Sequence, residues 1–290
     1  MKNQLKTILL LGILSSILVA AGAAISPSYA YGAFGLALLL NVGAYFFSDR
    51  IVLAMSRARE VAPNEAPELY EMVAELAGRA EIPMPRVFVI DDPQPNAFAT
   101  GRNPKHGVVA VTTGITRLLT ARELRGVLAH EISHIKNRDI LVSSVAAVMA
   151  SAISWLGQIL SFAAFSGARD DEEGGSPVGG LVFALLAPIA AVLVQLGISR
   201  SREYLADESG ARLAGDPEAL ARALEKLQYG ADHVPGNASP ATASLYIVNP
   251  LAGARGVMEW FSTHPLTEER VRRLRSLQFQ GAQRMVRSPA

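Results

Sequence analysis

Thr120-Ala121-Arg122-Glu123-Leu124-Arg125-Gly126-Val127-Leu128-Ala129-His130-Glu131-Ile132-Ser133-His134 is the stretch on which the rest of the chain turns. Thr120 followed by Glu123 has the form of a capping box, in which hydroxyl and carboxylate satisfy orphan backbone donors. A helix is therefore expected to start there and run through His134. Within it His130 and His134 lie one turn above each other on one face, where two imidazoles can grip one ion. Glu131 projects beside that ion, placed to take a proton from a water in the open position of a hydrolytic zinc site. The plain alternative is a helix with two surface histidines and a solvated glutamate.

A third ligand decides between them. The chain has no cysteine, so any metal must sit on His, Asp or Glu. The metzincin pattern is excluded, because Asn137 and Ile140 stand where its Gly and third His belong. Asp139 comes about 140° round the helix from His134 at 3.6 residues per turn and is expected to point elsewhere. Ser201-Arg202-Glu203-Tyr204-Leu205-Ala206-Asp207 offers a better pair, since Glu203 and Asp207 share a helix face. Glu203 could complete the site while Asp207 accepts the second N–H of a ligand histidine. Alternatively they are exposed acids, with Arg202 as an ion-pair partner.

Composition places this chemistry at a membrane. Of 290 residues 50% are hydrophobic and only 18% charged, against roughly 25% in soluble domains. A net charge of +1 gives no global basic field, so nucleic acid is not expected as a partner. Uncharged or nearly uncharged runs of spanning length occur at 5–25, 31–47, 140–165 and 178–199. The first is also readable as a cleaved signal peptide ending near Ser28-Tyr29-Ala30, although its length exceeds the usual 7 to 15 residues or so. Lys2, Lys6, Arg50, Arg57, Arg59, Lys136, Arg138, Arg200 and Arg202 all fall on one side, and the acidic loop Arg169 to Glu173 on the other. By the positive-inside rule both soluble segments, 49–139 and 200–290, face the cytoplasm. The expected organisation is two N-terminal spans (1–48), the first part of a soluble unit (49–139), a transmembrane hairpin (140–199) and the second part (200–290). The hairpin would bring Glu203 back to the surface on which His134 lies.

In the soluble parts, Asn64 to Arg79 has helical spacing at Leu69, Met72, Val73 and Leu76. Arg86 to Ile90 and Val108 to Thr112, with Ala97-Phe98-Ala99 between them, predict a small sheet. Asp216-Pro217 and His264-Pro265 each open a helix. Tyr229 to Thr263 between them is too long for an ordinary connection and is read as functional or mobile.

The capped pentad with Asn137-Arg138-Asp139 leading into a span, Ser201 to Asp207, Asn96-Ala97-Phe98-Ala99-Thr100-Gly101 and Ser262-Thr263-His264-Pro265 together resemble the HtpX-type heat-shock membrane metalloproteases, relatives of the CAAX prenyl proteases. The similarity covers nearly the whole chain. It implies a mainly α protein: four transmembrane helices with a cytoplasmic gluzincin-like zinc protease domain of helices and a small β-sheet. It implies one Zn2+ per chain on His130, His134 and Glu203, with Glu131 as the base. It also implies a bacterial inner membrane and a quality-control role in which misfolded or damaged membrane proteins are the substrates and the bilayer the other partner. Asn96, Ala97, Phe98 and Ala99 match a strand bordering the cleft, which could pair with an extended substrate or be an ordinary loop and strand. His264 matches a histidine near the cleft, either an oxyanion donor or a cap for the next helix. Arg270 is a further candidate for the oxyanion task.

Rival readings are a zinc-binding membrane adaptor, a prenyl-protein processing protease and an intramembrane protease. An intact Glu131 counts against the adaptor, four spans against a prenyl protease's large chamber, and the charges flanking the pentad against a site within the bilayer. Oligomeric state and autocleavage are left open.

Overall fold

The computed structural model describes residues 27–152, 200–239, 242–251 and 265–286, with isolated positions between 5 and 23. The runs at 5–25 and 178–199, the acidic loop and His264 therefore lie wholly or largely outside the described residues. In chain order the elements are α1 (Pro27–Met55), β1 (Arg59–Glu60), α2 (Pro67–Ala80), β2 (Arg86–Ile90), β3 (Ala97–Thr100), β4 (Val108–Thr112), α3 (Thr113–Leu118) and α4 (Ala121–Lys136). They continue with α5 (Ile140–Ala152), α6 (Arg200–Ala214), α7 (Pro217–His233) and α8 (Thr267–Val286). The protein is mainly helical with one small sheet.

Among the described residues α1 is the one helix long and apolar enough to cross a membrane. Its outer face leaves Tyr31, Phe34, Leu38, Leu39, Val42 and Phe46 exposed, as lipid contact requires. The helix does not end at the expected boundary after residue 48. It runs on to Met55, and Val52 and Leu53 enter the core of the soluble unit.

The sheet has the order β1-β2-β4-β3. β2 and β4 are parallel, with Arg86 opposite Val108 and Ile90 opposite Thr112; β3 returns antiparallel beside β4. Alternation of side chains divides two cores. Val87, Ala97, Ala99, Val109 and Val111 face α4 and the main core. Phe88, Ile90, Phe98, Val108 and Ala110 face Val52 and Leu53 of α1 and Ala147 of α5. One thin sheet thus separates α4 from the end of α1 and from α5.

The capping box forms: Thr120 Oγ1 accepts from the Glu123 amide, and Glu123 accepts from the Thr120 amide at 2.9 Å. From Leu124 to Ile135 almost every residue of α4 is buried, so this helix is the axis of the domain. Asp216 caps α7 by accepting from the Ala219 amide. α7 continues through His233, into the segment expected as a connection, and within that segment residues 242–251 pack as a strap with Leu245, Tyr246, Ile247 and Val248 buried.

Candidate metal centre

α4 supplies His130 and His134, and α6 brings Glu203 and Asp207 against it. The two helices can approach because position 210 is glycine: a Cβ there would lie 2.8 Å from the His130 backbone. Glu203, Asp207 and Gly210 share the buried face of α6. The expected convergence is present. His130 Nε2 and His134 Nε2 are 3.1 Å apart, and Glu203 carboxylate oxygens stand 3.6 Å from each. Ligand atoms about 2.0–2.1 Å from one tetrahedral ion stand about 3.3–3.4 Å apart, so these residues fit a metal such as zinc. Glu131 Oε1 is buried beside them with no hydrogen-bond partner among the described residues, a polar atom left facing the site.

The other imidazole nitrogens are also engaged. His130 Nδ1 lies 3.0 Å from Asp207 Oδ1, at ion-pair distance though outside strict hydrogen-bond geometry. Asp207 is gripped by buried Arg270, whose Nε and Nη2 donate to its two oxygens at 2.8 and 2.7 Å. Arg270 Nη1 donates to the Ile247 carbonyl at 2.6 Å, tying the strap to the site. Three of the five guanidinium N–H groups are thereby spent on Asp207 and the strap, and Nη2 also lies 3.5 Å from His130 Nε2.

Asp139 departs from the helical-wheel expectation. Its Oδ2 is 3.3 Å from His134 Nδ1. The helix stops at Lys136 and Arg138 adopts φ 58°, with the Asp139 amide donating to the His134 carbonyl and the Arg138 amide to that of Ile135. This Schellman turn folds Asp139 back onto the last helical turn.

Burial opposes protonation of both histidines, but carboxylates outweigh it. Glu203 and Asp139 push His134 up to about 10, and Asp207 and Glu203 raise His130. Burial pushes the Glu131 carboxyl up. Burial alone would raise Asp207 too, yet the Arg270 guanidinium holds it below the usual carboxylate range.

The expected substrate strand is largely taken by the chain itself. Asn96 Nδ2 donates to the Val248 carbonyl at 2.8 Å, its Oδ1 accepts from the Ala97 amide at 3.1 Å, and the Ile247 amide donates to the Ala97 carbonyl at 2.9 Å. Phe98 bridges to Tyr246, their rings edge to face at 5.0 Å. Ala99 alone of the four lines the cleft, with Glu131, His134, Asp139, Glu203 and Leu245. That cleft has a volume of about 30 Å³, room for about one water. Gln94, which sequence reasoning passed over, ties the end of α7 to the strap by donating to the Val234 and Pro250 carbonyls at 2.9 and 3.0 Å.

A family model described as peptidase family M48 matches residues 63–278. The chain belongs to peptidase family M48. Protease HtpX homologues resemble this M48 peptidase along nearly its whole length. That of Syntrophobacter fumaroxidans is 53% identical over 283 residues, 96% of this chain and 100% of the relative. That of Thermodesulfovibrio yellowstonii is 53% identical, covering 95% and 98%. That of Burkholderia thailandensis is 50% identical, covering 94% and 96%. The crystal structure of S. mikatae Ste24p matches with a TM-score of 0.50 at 21% identity, over 94% of this chain and 65% of that one, a likeness of fold. The M48 peptidase is accordingly a membrane metalloprotease, a hydrolase of peptide bonds. Its family implies a metal ion, and His130, His134 and Glu203 form the possible metal site.

Proposed function

We propose that the chain is a zinc-dependent endopeptidase, anchored by four spans in a bacterial inner membrane, which cleaves misfolded or damaged membrane proteins at the cytoplasmic surface. The observation that carries this reading is the convergence of His130, His134 and Glu203 beside the partnerless carboxylate oxygen of Glu131. The basic residues on one side of the apolar runs support the topology, as does Asn41 of α1 donating to Ser15 of the first run at 2.7 Å. Such polar contacts tie neighbouring spans.

Zinc bound by these three side chains supplies Lewis acidity toward a scissile carbonyl and toward water. Glu131 takes the water's proton and later delivers it to the leaving amine nitrogen. Its burial suits the task, because a carboxyl moved toward neutrality can both accept and return a proton. Asp207 and Asp139 hold the two imidazoles with their Nε2 atoms turned to the site. His264 is assigned to the oxyanion on the strength of the family resemblance.

Zinc content and cleavage of unfolded casein, measured on detergent-purified protein, test the reading. Glu131→Gln should retain zinc and lose cleavage, and Glu203→Ala should lose zinc. Full cleavage by Glu131→Gln, or wild type that takes up no zinc, would reject it and favour an adaptor.

A further inference from the structure

Where α1 leaves its exposed apolar stretch, a second cavity of about 170 Å³ opens, far less crowded than the metal cleft and lined by cations. Arg50 comes from the end of the apolar stretch, Arg86 from the start of β2, and Arg102, Lys105 and His106 from the turn between β3 and β4. Arg86 is neutralised by Glu60, which accepts from its Nε and Nη2. Among the described residues Arg50, Arg102 and Lys105 pair with no carboxylate, and Asp49 is the one acid in the lining. Gathered at one cavity, these cations create a local positive potential that attracts an anion.

The turn fixes Arg102 in place. The guanidinium can only donate, so His106 Nε2 accepts from Arg102 Nη2 at 2.8 Å. His106 Nδ1 then carries the proton and donates to Asn103 Oδ1 at 2.9 Å. Arg102 lies over the Phe46 ring at 5.6 Å from its centroid. Below Phe46 the exposed side chains of Val42 and Leu39 continue along the same helix face. The cavity therefore has a cationic head at the aqueous end and an apolar track running into the bilayer.

We propose that this cavity binds the phosphate of an anionic phospholipid, with an acyl chain laid along Phe46, Val42 and Leu39. The proposal rests on α1 spanning the membrane and is independent of the peptidase chemistry. Juxtamembrane cations attract anionic lipid phosphates, and the apolar track distinguishes a lipid from free phosphate. No residue of the metal centre takes part.

Full-length protein, delipidated in detergent, would be titrated with phosphatidylglycerol, phosphatidylcholine or inorganic phosphate, and bound molecules counted by native mass spectrometry. One phosphatidylglycerol per chain should bind in preference to phosphatidylcholine and resist excess inorganic phosphate. Arg102→Gln with Lys105→Gln should weaken it about 10- to 30-fold, and Arg50→Gln alone, which removes no hydrogen bond of the fold, about 5-fold. The exposed pair Arg117→Gln with Arg272→Gln should change nothing. Equal binding of both lipids, displacement by inorganic phosphate, or equal weakening by the control pair would overturn the proposal. Alkaline carbonate washing of membranes separates the premise: a chain that washes off overturns span and site together, whereas one that stays but binds no phosphatidylglycerol overturns the site alone.

Discussion

His130 and His134 face different carboxylates through Nδ1, and the two partners are built differently. Asp207 is locked by Arg270, whereas Asp139 is held by the turn that ends α4. Partners of this kind typically contribute 10- to 100-fold to metal affinity. Asp139→Ala should weaken zinc binding by about 10-fold or more in competition with a chelator, and Asp139→Asn, whose amide oxygen can still accept from Nδ1–H, should weaken it less. Equal affinity in all three would remove Asp139 from the site. The pentad, Glu203 and Asp207 were legible because four-residue spacing defines a helix face. Asp139 was not, because the wheel that excluded it presumes a helix continuing past Lys136. Nothing about Arg138 announces a left-handed turn of the kind glycine usually makes. At the other end of α4, burial would raise Glu123, but Lys226 and the Thr120 amide hold it below 4.5. A depressed carboxyl stabilises the fold above its unfolded value and loses that as pH falls through its folded value. Glu123→Gln should therefore cost about 1 kcal/mol at neutral pH, and its melting temperature should converge on wild type below pH 4.5.

Among the elements, the contact of α4 with α6 sets the metal site, because each helix carries part of the ligand set. Gly210 permits it. Gly210→Ala should push α6 away from His130, costing about 1–3 kcal/mol and lowering zinc affinity together with melting temperature. Unchanged affinity with lowered melting would mean that the ligand face tolerates the shift. Helices with a chemical start signal, at Thr120 and Asp216, and the β-branched strands were legible within a few residues. β1 and α3 are too short to show a period, and the parallel pairing of β2 with β4 depends on contacts that adjacent residues do not encode. The strap was hardest to foresee. Its composition reads as a loop, yet Asn96, Gln94 and Arg270, far away in sequence, supply its hydrogen bonds.

For the molecule as a whole, the continuity of α1 joins membrane and catalytic unit. Leu53 lies under the sheet at 5% exposure, so Leu53→Ala should destabilise the soluble unit by about 2–4 kcal/mol, read as a lower melting temperature of the metal-loaded protein. An unaltered melt would show that the helix end is only a tether. The proposed orientation can be read by thiol labelling, since the natural chain has no cysteine to interfere. Ser28→Cys should react with an impermeant reagent on intact spheroplasts, and Lys105→Cys only after lysis. Labelling of Lys105→Cys but not of Ser28→Cys before lysis would reverse the topology. The apolar stretch of α1 is legible from composition, whereas the point at which such a helix turns into a core helix is not, because Val and Leu serve both solvents alike. The strap along β3 has one more consequence. A sheet border with open amides is a template on which other extended chains grow, and it seeds aggregates. Here one border is the two-residue β1 and the other is occupied by the chain's own residues 246–248, so a protein proposed to work among unfolded polypeptides offers them little on which to nucleate.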